Sequence, residues 1–516
     1  MSRWPVPLLG AAGGLAALTV VSRAVGFGRV AVLTRTVGTG CVGDAYSTAN
    51  ALPNVVFEVV AGGALAAAVV PLLAGAVAQA DTERASAVAG ALLTWTVLVL
   101  TPVALLGILA APLLLRELAG SSPACGRPLL VEGAFLLRVF MPQVLLYGIA
   151  VVLTGILQAH HRFLGPALAP LLSSLVVVTA YLTYATLGAQ PLDRLSTGRA
   201  LVLSVGTTLG VAALALPLAL PLRRCGLHLQ PRLRFPPGVA RQARGLAGSG
   251  LVGLAAQQGA LLVALRLANS GQQGDVVVLL VATALFQLPW AVLVLPVATT
   301  AFPTMAARHT EGDAPGYALL TSRSLRAVLL LSAGAGGLLV LVADPAARLL
   351  AGHERVGALA DAGRAFAPGL VGAALLALLG RALLARGDAR TPAVATTVGW
   401  AVVAGVDLLL CGVTDLPRGV ALGLGNSAGM TVAGVGLVLG LRRSAGAPSV
   451  ARAGRTATAS LLAGGALAAA ALLVPTLPAS LPVALAAGAA LAIGGAVAYV
   501  LVVRWLDPGV LGVLRA

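Results

Sequence analysis

Residues Ser22 to Pro71 read SRAVGFGRVAVLTRTVGTGCVGDAYSTANALPNVVFEVVAGGALAAAVVP. The stretch predicts two membrane-length helices joined by a Gly-rich turn, Gly38 to Gly43, yet it holds Arg23, Arg29, Arg35, Asp44 and Glu58. A charge at membrane depth costs about 2.5–3.5 kcal/mol on insertion scales, so such residues face a protein interior or a watery cavity. Function is therefore expected here. In the second helix Asp44, Ser47, Asn50, Asn54 and Glu58 are spaced by three, three, four and four, which puts them on one face. Pro53 interrupts the backbone ladder inside that stripe, so a bend with unpaired carbonyls is expected. In the first helix Arg23 and Arg29 point roughly 120° apart on regular turns, and Gly26 and Gly28 between them are expected to loosen that geometry.

The rest of the chain agrees with a membrane setting. Of 516 residues 59% are hydrophobic and 10% charged, against roughly 25% charged in soluble domains. A soluble reading is excluded. All 34 basic residues are arginine, which codon bias explains. The net charge of +17 would suggest nucleic acid in a soluble protein, but here the arginines gather in loops on one side and act as an orientation signal. Apolar runs of about 20 residues or more fall near 9–37, 44–78, 87–115, 133–159, 164–188, 198–221, 245–268, 276–306, 319–343, 358–384, 391–413, 418–441, 456–475 and 481–504. The expected fold is an all-α polytopic membrane protein of about fourteen transmembrane helices, with both termini on one side.

Arginine placement orients those spans. Arg223, Arg224, Arg232, Arg234, Arg241 and Arg244 share one connection and Arg442, Arg443, Arg452 and Arg455 another, whereas on the opposite side Arg116 accompanies Glu117, Arg194 accompanies Asp193 and Arg355 accompanies Glu354. Cytoplasmic termini follow. Cys41 and Cys125 then both lie outside, where a disulfide between them is open. A repeat divides the chain: ILQAHHRFLGP (156–166) precedes the fifth span and ALLARGDARTP (382–392) the eleventh, and Leu-Pro recurs at 52–53 and 288–289. Both pairs relate span n to span n+6, which favours two six-helix bundles of parallel topology around a central cavity. The expected divisions are 1–222 and 245–441 for the bundles, 223–244 and 442–455 for cytoplasmic linkers, 456–505 for an accessory pair of helices, and 506–516 for a cytoplasmic tail.

Guanidinium groups bind phosphate bidentately and stay charged, so Arg23 and Arg29 are read as an anion site, with Arg35 snorkelling to the interface. Asp44 reads equally as a helix N-cap and as a functional carboxylate. Asn50 and Asn54 serve the cavity or join helices at about 0.6 kcal/mol each. Glu58 is expected to pair with a first-span arginine. Arg138, Arg266 and Arg381 are secondary cavity candidates, the first two equally readable as snorkelling. In the RGDARTP turn, Asp388 or Thr391 is expected to cap the next helix, with Pro392 in its first turn. His160, His161 and Arg162 read as a headgroup-facing turn; a metal site would need further ligands. No nucleotide loop, catalytic triad or cofactor motif occurs, and ion or potential coupling is open.

SRAVGFGR (22–29), GDAYSTANALPN (43–54), GGALAAAVVPLL (62–73), LRVFMPQVLLYGIAVVLTGILQAHHRFLGPALAPLLSS (137–174) and RALLARGDARTP (381–392) together resemble the MurJ/MviN lipid II flippase family of the multidrug/oligosaccharidyl-lipid/polysaccharide exporter superfamily. The resemblance implies a transporter rather than an enzyme, a fourteen-helix fold, and alternating access carrying undecaprenyl-pyrophosphate-linked peptidoglycan precursor across a bacterial inner membrane. It ties Arg23, Arg29 and Asp44 to transport, and implies a lipid substrate, cell-wall synthesis proteins as further partners, and a monomer. Two departures stand out: Phe57 and Glu58 occupy positions that carry basic residues in other members, as in the actinobacterial branch, and Ala284 replaces a cavity arginine. The changed charge keeps two other readings open, an exporter of another polyprenyl-linked glycan or of organic cations, and a non-transporting cell-wall scaffold.

Overall fold

The computed structural model describes residues 6–59, 64–120, 122–222, 225–235, 239–351, 355–474, 480–509 and 512, and every regular element among them is helical. Two compact units, Met1–Gln258 and Gly259–Ala516, divide the chain. The first holds α1 (Val6–Thr36), α2 (Cys41–Phe57), α3 (Ala64–Ala78), α4 (Thr82–Leu109), α5 (Ala111–Ala119), α6 (Gly126–Phe140), α7 (Gln143–Ala159), α8 (Leu164–Thr186), α9 (Thr197–Ala215), α10 (Ala219–Leu222) and the start of α11 (Val239–Asn269). The second completes α11 and adds α12 (Asp275–Pro289), α13 (Leu295–Thr310), α14 (Ala314–Leu341), α15 (Ala343–Ala351), α16 (Val356–Phe366), α17 (Gly369–Ala385), α18 (Arg390–Val413), α19 (Arg418–Ala445), α20 (Ala453–Ala470) and α21 (Leu481–Leu506). Among the described residues eleven helical segments are long and apolar enough to cross a bilayer, and α16 with α17, bent by 46°, makes a twelfth. These coincide with the third to fourteenth apolar runs of the sequence. The first two runs fall on α1 and on α2 with α3, where part of the chain lies outside the described residues.

The units repeat one another element by element. α4 and α14 each have 28 residues and an aspartate N-cap: Asp81 accepts from the Arg84 N–H at 2.9 Å and Asp313 from the Gly316 N–H at 2.8 Å. α7 and α17 each have 17 residues and follow a proline, Pro142 or Pro368. Each Leu-Pro pair is followed by a π-helical turn, at 58–59 after Pro53 and at Trp290–Val294 after Pro289. A wide turn of this kind accommodates a backbone group that proline leaves unpaired.

The corner between the second helix and the sixth is tied in both units by different chemistry. Cys41, in the first turn of α2, is disulfide-bonded to Cys125, the N-cap of α6. Asp275, the first residue of α12, pairs with Arg355, the N-cap of α16, which also reaches Gln272 Oε1 at 2.9 Å. Glu354, which balances Arg355 in the charge count of that connection, lies outside the described residues.

Each unit has its own apolar centre. In the first, Val69, Leu73, Val88, Leu92, Val152 and Ile156 join α3, α4 and α7; in the second, Met305, Val328, Leu378 and Leu437 join α13, α14, α17 and α19. Lipid offers no hydrophobic drive between helices, so close approach through small residues supplies the packing. Gly372 shows this: a Cβ there would overlap the Met430 carbonyl of α19. The accessory pair is fastened to α14, where Arg326 Nε donates to Thr456 Oγ1 at 2.9 Å, Arg326 stands 3.6 Å from Asp507, and the Tyr499 hydroxyl donates to Leu330 O at 2.6 Å.

Within the connection placed at 223–244, α11 already begins at Val239, although its membrane-length apolar part starts at Leu251; Arg223 and Arg224 lie outside the described residues, as does most of 506–516. Residues 228–233 lie extended along α4: the His228 N–H donates to Ser86 Oγ at 3.1 Å, the Arg232 N–H to Thr94 Oγ1 at 3.1 Å, and Trp95 Nε1 to Leu233 O at 3.0 Å. Gly90 lets this strand of main chain approach, because a side chain there would overlap the Gln230 carbonyl. The second connection, placed at 442–455, is mostly ordered as the end of α19 and a short 3-10 turn, Ala447–Val450.

Candidate functional site

α1 runs unbroken through Gly26 and Gly28, so the expected loosening does not occur and Arg23 and Arg29 keep their regular spacing. Intrahelical hydrogen bonds hold the backbone, and a Cβ at either glycine would meet nothing within 4 Å. Arg23 and Arg35 are exposed and Arg29 is half-buried. Neither Arg23 nor Arg29 makes an ion pair among the described residues.

α2 starts one turn earlier than the capping reading of Asp44 requires. Gly40 is the N-cap, and the Asp44 N–H is bonded to Gly40 O at 3.0 Å. Asp44 therefore lies within the helix, 3% exposed, where the positive end of the helix dipole favours a carboxylate. Ser47 is buried, Asn50 and Asn54 are half-buried, and Asn54 Nδ2 donates to Asn50 O at 2.9 Å, so Asn54 secures its own helix. Ser47 Oγ and Asn50 Oδ1 are buried atoms with no hydrogen-bond partner among the described residues. Pro53 is buried inside α2, and the Glu58 N–H is bonded to Asn54 O and Val55 O, so Glu58 keeps the α-helical spacing of the stripe. Glu58 is exposed and makes no ion pair among the described residues, so the expected pairing with a first-span arginine is not made.

A hydroxyl cluster forms the floor of this region. The Tyr46 hydroxyl lies 2.7 Å from the Tyr181 hydroxyl and 2.8 Å from Thr207 Oγ1. The Tyr46 ring meets Phe140 and Tyr181 edge-on at centroid distances of 5.6 and 5.8 Å. Next to it Gln143 Nε2 donates to Thr208 Oγ1 at 3.0 Å. α1, which carries Arg29, packs along α8, which carries Tyr181, and α2 packs against α7. The guanidinium of α1 and the aromatic hydroxyls of α2, α7 and α8 thus belong to one group of packed helices. Sequence reasoning missed the cluster. The available signal was that four of six tyrosines fall between residues 46 and 184 inside apolar runs, where a buried phenol needs a partner.

The other candidates are scattered. Arg138 on α6 and Arg266 on α11 are exposed. Arg381 is half-buried on α17 and donates to Ala377 O of its own helix at 2.8 Å. At the entry to α18, Asp388 Oδ1 accepts from the Thr391 N–H at 3.0 Å, and Pro392 is buried in the first turn. Hydrogen bonds from the Thr391 side chain and backbone hold the Asp388 carboxyl below its ordinary range. The sequence reading also passed over Asp407 on α18, 1% exposed, whose two carboxylate oxygens have no hydrogen-bond partner among the described residues.

A family model described as lipid II flippase MurJ matches residues 33–495. The chain belongs to that family. The matched segment takes in α2 and its polar stripe and starts just past Arg29. Among relatives of this MurJ-family chain, a probable lipid II flippase MurJ from Rhizobium tropici is 28% identical over 415 residues, covering 78% of this chain and 75% of its own length. The lipid II flippase MurJ of Burkholderia cenocepacia is 27% identical, with 82% of each chain covered. A solved structure titled lipid II flippase MurJ, inward closed conformation, aligns with a TM-score of 0.75 at 15% identity, covering 96% of this chain and 99% of the other. An inward-facing multidrug resistance MATE transporter of the MOP superfamily gives 0.68 at 17% identity, with 82% of this chain and 94% of the other covered.

Proposed function

We propose that this chain is a lipid II flippase: it carries undecaprenyl-pyrophosphate-linked peptidoglycan precursor from the cytoplasmic to the outer leaflet of the bacterial inner membrane, as a monomer with both termini cytoplasmic. The observation that carries the reading is the family match over residues 33–495. The chemistry of the first unit agrees with it. A pyrophosphate cannot cross hydrocarbon unaided, and burying its charge unpaired is prohibitive. Arg29, without a carboxylate partner among the described residues and beside the Tyr46–Tyr181–Thr207 hydroxyls, supplies charge-assisted donors in place of water. Arg23 provides a second guanidinium on another face of α1, so the two act at successive depths rather than as one clamp. Transport proceeds by alternating access, the polyprenyl tail remaining in lipid alongside α20 and α21. An organic-cation exporter would use Glu58 as its acid; the lipid II flippases among the relatives do not favour that reading, nor the scaffold.

Complementation tests it. A strain depleted of its own lipid II flippase receives the parent chain, Arg23→Ala or Arg29→Ala at equal expression. Rescue by the parent and failure of Arg29→Ala is the expected result. A well-expressed, correctly inserted parent that neither rescues growth nor moves lipid II in proteoliposomes overturns the proposal.

A further inference from the structure

Beyond the anion site, the end of α2 carries an aromatic pair that the pyrophosphate does not use. Phe57 and Tyr147, from α2 and α7, place their ring centroids 4.9 Å apart with planes tilted by 33°, and both are partly exposed. Phe57 follows Asn54 by three residues and Asn50 by seven, so it belongs to the face of α2 that bears those amides. Asn50 Oδ1 on that face is an acceptor without a partner among the described residues. α7, which carries Tyr147, packs against α8, and α8 packs along α1, the helix of Arg29, so the aromatic pair and the guanidinium belong to one group of packed helices in the first unit.

A ligand for this set presents an apolar face and a hydroxyl edge beside a group of negative charge. A hexose ring fits: its axial C–H bonds carry slight positive charge and meet the negative faces of aromatic rings, while its hydroxyls donate to amide oxygens. We propose that Phe57 and Tyr147 form a stacking platform for the sugar attached to the pyrophosphate, with Asn50 Oδ1 accepting from a sugar hydroxyl. The inference rests on the flippase reading and deepens it by assigning the glycan a place separate from the phosphate. It gives the aromatic at position 57 a recognition role in place of a charge.

Purified parent protein is titrated with lipid II and with undecaprenyl pyrophosphate, which has the same phosphates and tail but no sugar. Phe57→Leu keeps an apolar side chain of similar volume without a π face, and Tyr147→Leu does the same on α7; Phe57→Tyr preserves the ring. The expected result is that each leucine variant binds lipid II about tenfold more weakly, a loss of the size ring stacking supplies, leaves undecaprenyl pyrophosphate affinity at the parent value, and that Phe57→Tyr retains both. Unchanged undecaprenyl pyrophosphate binding also reports that the variants are folded. Equal weakening toward both lipids, or no change toward lipid II, overturns the platform while the flippase reading stands. A parent that binds neither lipid overturns both.

Discussion

Serine at Cys41, at Cys125 or at both removes the bridge between the start of α2 and the start of α6, and the cost follows from the chain it closes. The two cysteines are 84 residues apart. For a flexible chain of that length the loop-closure relation gives about 4.5 kcal/mol. In a micelle or bilayer, α2 to α5 stay helical when tertiary contacts are lost, which leaves about 15 of those residues free to explore and lowers the figure to about 3 kcal/mol. The expected loss is therefore about 3 kcal/mol, equal within about 0.5 kcal/mol for either single variant and the double, because each breaks the same bond. Equilibrium unfolding in detergent, with and without reductant, measures it. Alkylation followed by mass spectrometry establishes the starting state: the denatured, unreduced parent should label at Cys225 and Cys411 only, which are the free cysteines. Four labelled thiols without reductant would refute the bridge. Identical unfolding of oxidised and reduced parent would refute the energetic reasoning.

Two further outcomes follow from packing and capping. Gly372→Ala drives a methyl into the Met430 carbonyl and should destabilise the second unit by about 1–3 kcal/mol, whereas Gly363→Ala, whose nearest neighbour would stand 4.0 Å away, should be neutral or slightly stabilising; thermal unfolding compares them. The Asp388 carboxyl is held below its ordinary range by Thr391, so its contribution is present above the unfolded pKa of about 3.9 and is lost as pH falls through the lower folded value. Asp388→Asn keeps the cap without the charge, and its stability deficit relative to the parent should shrink between pH 6 and pH 3, which thermal midpoints across that range would detect.

The membrane class and the order of helices were legible because a bilayer demands about 20 apolar residues per crossing, and that demand is written locally. The repeat was legible through proline, since Leu52-Pro53 and Leu288-Pro289 each impose the same backbone disruption. Local signals also narrowed the cap of α18 to Asp388 or Thr391, of which Asp388 accepts the Thr391 N–H. What depended on distant contacts was not legible. Tyr46 meets Tyr181 across 135 residues, and neither has neighbours in sequence that mark it as polar machinery. Glu58 keeps the helical spacing of the stripe but is exposed, because spacing within one helix does not record which neighbouring helix stands beside it. Arg355 meets Asp275 across 80 residues, a contact that loop charge balance does not reveal. The capping alternative for Asp44 rested on its position after glycine, while the helix had already begun at Cys41.

The tie between the second and sixth helices has survived duplication while its chemistry has not. What the fold retains at that corner is a fixed separation between two helix starts, and a covalent bond or a partly buried ion pair meets that need. The consequence is a division of sensitivities. The Cys41–Cys125 corner yields to reductant and is indifferent to salt, whereas the Asp275–Arg355 corner is indifferent to reductant and yields to acid. Each corner can thus be loosened by a reagent that leaves the other corner's tie intact.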